Sequence, residues 1–116
     1  MKDNVVRSKS FAFAVRIVRL ARYLQEQKRE FVLSKQLFRS GTAIGAMVPE
    51  AEQGESRADF VHKLSVALKE AHETDYWLEL LVESEYVDEK GYHSIYEDLA
   101  ELLKLLTTII KTTKGN

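Results

Sequence analysis

The sequence predicts an all-α protein, an antiparallel up-down-up-down four-helix bundle. Apolar residues recur at three- and four-residue spacing through four stretches, and no stretch shows the alternation of a strand. The 116 residues include one proline and five glycines, so few breakers interrupt those stretches. The links between them are short, which makes successive helices run antiparallel. The helices are expected at about residues 10–29, 35–53, 57–85 and 89–113 of a single domain spanning 1–116.

The first helix repeats apolar residues at Phe13, Ile17, Leu20 and Leu24, with Phe11, Ala14, Val18 and Ala21 beside them. A surface helix buries a stripe of about 100°. This face is wider, which predicts packing against two neighbours. Lys9, Arg16, Arg19 and Tyr23 occupy the remaining side.

The second helix is expected to start after Ser34 as N-cap and to stop at Gly54, whose permissive backbone suits a C-terminal cap. Gly41 and Gly45 lie one turn apart inside it. Each costs about 1 kcal/mol relative to alanine in a helix, so their presence predicts a backbone that another helix approaches closely. Pro49 removes a hydrogen-bond donor and crowds the carbonyl four residues earlier, which predicts a kink between Gly45 and Pro49.

The third helix opens with Ser56 and Asp59, close to a capping box. Its main ladder is Phe60, Leu64, Ala67, Leu68, Ala71, Leu78, Leu81 and Val82, and a narrower stripe of Val66, Trp77 and Leu80 marks another side. The fourth helix follows Asp88 as cap and carries Ile95, Leu99, Leu102, Leu103, Leu106, Ile109 and Ile110.

Composition narrows the class further. Hydrophobic residues at 45 % and charged residues at 30 % give the balance of a folded globule rather than of a disordered chain. The chain contains no cysteine, which excludes disulfides and thiolate metal sites. Arginines interrupt the apolar start, so it does not read as a signal peptide, and no run approaches the roughly 20 apolar residues that span a bilayer. A cytoplasmic protein without a membrane partner is expected. The net charge of −1 conceals an asymmetry: residues 1–45 hold ten Lys or Arg against three acids, and residues 46–116 hold seven against fifteen. Either the two parts neutralise each other, within or between subunits, or the basic first helix meets an acidic partner such as RNA or DNA.

From Leu37 to Leu81 the string LFRSGTAIGAMVPEAEQGESRADFVHKLSVALKEAHETDYWLELL resembles the four-helix bundle proteins encoded in intervening sequences of bacterial 23S ribosomal RNA genes. The matching positions include Arg39, Ser40, Gly41, Ile44, Gly45, Glu50, Ala51, Gly54, Ser56, Asp59, Phe60, Lys63, Leu64, Ala67, Glu70, Ala71, Glu73, Thr74, Tyr76, Trp77 and Leu78. Pro49 departs from the pattern. The resemblance implies a four-helix bundle that assembles with itself into a ring, a homopentamer being the common form, with a largely undefined biochemical role. It also implies kinship in fold with a retroelement accessory protein that binds nucleic acid through a basic surface. The present chain has a pI near 6.3, against values above about 9 for electrostatic nucleic-acid binders.

No enzyme is expected. A di-iron bundle needs two Glu-x-x-His motifs, and the sequence offers only Asp59 with His62 at that spacing. Arg57 and His62 fit the spacing of some helical nucleases, a pattern too loose to carry weight. No catalytic residue, cofactor or metal is therefore assigned. Glu50, Glu70, Glu73, Arg39 and Lys63 form either a pocket or ion pairs that fix helix register. Trp77 reads as core or interface. The candidate nucleic-acid surface is Lys9, Arg16 and Arg19, extended by Lys28 and Arg29 in the following loop. The expected function is a non-catalytic homo-oligomeric scaffold, with a protein-partner adaptor as the alternative.

Overall fold

In the computed structural model, which describes residues 4–115, four helices follow one another: α1 (Asn4–Gln27), α2 (Leu33–Glu52), α3 (Arg57–Glu83) and α4 (Glu89–Gly115). Residues 1–3 and 116 of the expected domain lie outside the described residues. Links of five, four and five residues turn the chain back on itself each time. The bundle is antiparallel, 46 Å long and 20 Å across. α1 packs against α2 and α4, and α3 against α2 and α4. Helices on a diagonal of this square do not pack on each other.

The core runs the length of the molecule, from Val6, Phe13, Ile17 and Leu24 of α1 to Leu99, Leu102 and Leu106 of α4. The ladders expected in α1, α3 and α4 supply most of it, and Val6 with Leu37, Ile44, Val48 and Ala51 of α2 complete it. Phe11, expected beside the α1 ladder, stands 70 % exposed on the outer side of α1.

Six boundaries differ from expectation, among them the end of α2 by one residue, at Glu52, and the ends of α3 and α4 by two each, at Glu83 and Gly115. α1 begins at Asn4, because the preceding turns contain no breaker and Val6 reaches the core; Ser10 is buried mid-helix, its hydroxyl donating to the carbonyl of Arg7 at 3.1 Å. α1 ends at Gln27, and Arg29 takes a left-handed φ of 54°. α2 begins at Leu33, and Ser34 is not its cap. The Glu30 carboxylate caps it instead, accepting from the backbone N–H of Val32, Leu33 and Ser34 at 3.1, 2.8 and 2.7 Å. A carboxylate satisfies several orphan donors at once and sits at the positive end of the helix dipole, so it outcompetes a hydroxyl. The Ser34 hydroxyl donates to the carbonyl of Glu30 at 2.8 Å.

Pro49 does not interrupt α2, which continues to Glu52 with Val48 and Ala51 buried. Gly54 follows the helix end but has no positive φ. Its small size matters for another reason: a Cβ there would lie 3.0 Å from the carbonyl oxygen of Ala51 and 3.1 Å from Asp59 Oδ2. The other caps form as the sequence indicates. Ser56 Oγ accepts from Asp59 N at 3.0 Å, Asp59 Oδ2 returns to Glu55 N at 3.3 Å, and Asp88 Oδ1 accepts from Gly91 N at 2.7 Å.

Candidate partner interface

The basic side of α1 divides in two. Lys9 pairs with Glu101 at 3.0 Å and Arg16 with Asp98 at 2.8 Å, so both engage α4. Arg16 also donates to the carbonyl and the hydroxyl of Ser94, at 3.1 and 2.9 Å. Arg19, Lys28 and Arg29 form no ion pair among the described residues. Lys28 lines a polar hollow with Tyr23, Glu85, Tyr86, Asp88 and Glu89, and Arg29 is exposed in the turn. The five cations therefore do not form one free face.

The charge asymmetry of the chain has a largely internal outcome. Arg7, Lys9, Arg16 and Arg39 all come from the first 45 residues. They pair with Glu52, Glu101, Asp98, and Glu70 with Glu73, all from the remainder. Neutralisation within the subunit was one of the two readings open from composition.

Glu50, Glu70 and Glu73 of the Leu37 to Leu81 string form ion pairs between α2 and α3. Arg39 reaches Glu70 at 3.3 Å and also pairs with Glu73, while Lys63 pairs with Glu50 at 3.3 Å. The hydrogen bond from the Arg39 guanidinium, joined by the indole N–H of Trp77 at 3.2 Å, holds the Glu73 carboxyl below the usual carboxylate range. The Glu73 hydrogen bond likewise raises Arg39. Beneath this cluster the buried Thr74 hydroxyl donates to Ser40 Oγ at 2.9 Å, joining the same two helices. Trp77 is half-buried against the core, and the exposed Tyr76 ring meets it edge-on at 5.0 Å.

The close approach foreseen at the glycines is between α2 and α1. A Cβ on Gly41 would lie 2.7 Å from Ile17 Cγ1, and one on Gly45 would lie 3.1 Å from the carbonyl oxygen of Ser10. Among the described residues no group of three or more His, Asp or Glu side chains is placed to hold a metal ion. Arg57 and His62 are both exposed.

A surface that the sequence reading missed runs along the outside of the α1–α2 seam. At one end Val18, Ala21, Arg22, Gln25, Lys35 and Phe38 enclose a cleft of about 350 Å³, with Phe38 46 % exposed. At the other, Phe11, Gly45 and Pro49 with Arg7 and Ser8 enclose one of about 390 Å³. A signal was present. Phe11, Val15 and Val18 follow one another at helical spacing beside the core ladder of Phe13, Ile17 and Leu24, so the wide apolar face of α1 exceeds what two neighbours cover.

No helix among the described residues is long and apolar enough to cross a membrane. No curated protein matches the chain. A solved structure from Bacteroides thetaiotaomicron VPI-5482, of a protein with unknown function from the S23 ribosomal protein family, superposes with a TM-score of 0.94. It is 59 % identical, and the match covers 96 % of this chain and 99 % of that one. The sequence model described as 23S rRNA-intervening sequence protein matches residues 2–108. With the fold and the match in agreement over nearly the whole length, the chain belongs to the 23S rRNA-intervening sequence protein family.

Proposed function

We propose that this chain is a non-catalytic cytoplasmic scaffold that assembles with copies of itself, a pentamer being the expected form. The observation that carries the reading is the row of apolar side chains on the outside of the α1–α2 seam, with Phe11 70 % and Phe38 46 % exposed after all four helices have packed. Fully burying one phenylalanine contributes about 1.5–3 kcal/mol, so a surface that covers both would add substantially to association. The engagement of Glu50, Glu70 and Glu73 in ion pairs supports a structural role for them rather than a reacting centre. Light scattering at micromolar concentration tests the reading: a mass several times 13.3 kDa supports it, and a monomer overturns it.

A second reading, nucleic-acid binding, draws on Arg19, Lys28 and Arg29, which have no ion-pair partner among the described residues. A ring would repeat these cations, and repeated phosphate contacts release counterions. Fluorescence anisotropy with structured RNA and with single-stranded DNA across a salt series tests it. Binding that weakens steeply with salt and disappears when Arg19, Lys28 and Arg29 become Glu supports it. Absence of binding at low salt directs the search to a protein partner.

A further inference from the structure

We propose that the cleft between the end of α1 and the start of α2 receives the acidic outer face of α3 from a second copy of this chain, so that subunits join head to tail. The proposal rests on the self-assembly reading above and adds which surface meets which.

The two surfaces complement each other in charge, and each has an apolar centre. The cleft has an apolar floor of Val18, Ala21 and Phe38, flanked by Arg22 and Lys35. The outer face of α3 presents Tyr76, 57 % exposed, and Leu80, which with Glu79 and Glu83 line a shallow hollow of about 250 Å³. None of these four charged residues forms an ion pair among the described residues, unlike Arg7, Lys9 and Arg16 further back on α1. Seating Tyr76 and Leu80 against Phe38 covers exposed apolar surface on both partners, and the charges at the rim then meet opposite sign.

Charge also selects the symmetry. In a two-fold contact centred on either patch, that patch meets itself. Cleft on cleft would set Arg22 and Lys35 against the same cations, and α3 face on α3 face would set Glu79 and Glu83 against the same anions. Cleft on α3 face removes both repulsions.

The topology places the patches suitably. The end of α1, the start of α2 and the end of α3 share one end of the bundle, because successive helices reverse. Cleft and α3 face therefore stand at the same height, and two upright subunits meet without sliding along the long axis. α3 adjoins α2 and lies diagonally across from α1, so its outer face is not directly opposite the cleft. Each repetition then turns by a fixed angle, which favours a closed ring over a straight filament.

The absence of cysteine makes the test clean. Phe38→Cys, Tyr76→Cys and the chain with both substitutions are oxidised and run on a non-reducing gel. The double variant is expected to give a ladder of linked subunits, and each single variant none. Dimers from Phe38→Cys or Tyr76→Cys alone would overturn the head-to-tail arrangement. So would the lack of a ladder from a double variant whose mass by light scattering is still oligomeric, an outcome that leaves self-assembly standing. A monomeric unsubstituted chain would remove both. In a second arm, Arg22→Glu with Lys35→Glu should reduce the mass to the monomer without loss of helical signal. Adding Glu79→Lys and Glu83→Lys to the same chain should restore it, and an oligomer indifferent to the first pair of changes would overturn the proposal.

Discussion

Gly41 and Ile17 lie so close across the α1–α2 seam that a methyl group on the glycine would stand 2.7 and 2.8 Å from two carbons of the isoleucine. Ile17 is fully buried in the core cluster, so moving it aside disturbs the residues packed around it. Gly41→Ala gains about 1 kcal/mol of helix propensity and loses about 1–3 kcal/mol to overpacking. A net destabilisation is expected, read as a lower urea midpoint. Ile17→Ala should be strongly destabilising alone and less so combined with Gly41→Ala, since the alanine methyl then occupies part of the vacated space.

The capping of α2 by Glu30 gives a test that separates it from the Ser34 expected at first. Glu30→Ala leaves three backbone N–H groups without their acceptor. A loss of about 1–2 kcal/mol is expected, the upper part of the range for a helix cap. Ser34→Ala removes hydrogen bonds to Glu30 O and from Gln25, and no cap. Equilibrium unfolding of the two variants should show the larger cost at Glu30.

Acid should weaken the Arg39–Glu73 contact in a specific range. Glu73 has its folded value lowered, so the contribution is fully present above the ordinary carboxylate value, about 4.3, and disappears as pH falls through the lowered one. Both side chains are partly exposed, which keeps the stability effect at the small scale of surface pairs. The sharper readout is the titration itself. In Arg39→Gln the Glu73 carboxyl, followed by NMR, should titrate at higher pH than in the unsubstituted chain. Trp77 fluorescence should follow the same transition, because its indole N–H donates to Glu73.

Glu85 closes α3 with a φ of 68°, and Tyr86 N bonds back to the carbonyl of Leu81 at 2.9 Å. A residue with a Cβ is strained in that region and glycine is not. Glu85→Gly should therefore stabilise the protein by about 1 kcal/mol, seen as a rise of a few degrees in Tm.

Arg16→Glu should destabilise the fold, since it puts a carboxylate beside Asp98, whereas Arg19→Glu should be close to neutral. Thermal unfolding in low salt distinguishes them. Any binding experiment that reverses Arg16 must first be checked for this loss.

The parts of the fold legible in the sequence depend on neighbours along the chain. The Leu64, Ala67, Ala71 and Leu78 ladder, the Ser56 and Asp88 caps and the need for glycine at 41 and 45 are local signals. Glu30 was obscured because its cap precedes the helix, and Ser34 offered a more familiar residue nearby. The engagement of Arg16 was not legible at all. Its partner is 82 residues away, and only the return of α4 beside α1 brings the two together. The outer cleft was half-legible: the apolar stripe could be counted, but which part the bundle covers depends on the packing of all four helices.

The α1–α4 seam is the most thinly packed of the four, and its outside carries the Lys9–Glu101 and Arg16–Asp98 pairs. Ion pairs also cross the α1–α2 and α2–α3 seams, but there closer packing stands behind them. Ionic strength should therefore weaken the α1–α4 edge first, and amide exchange should report faster opening in the facing turns of α1 and α4 than in α2 and α3. The bundle then behaves as a clasp whose loosest side responds most to the surrounding salt.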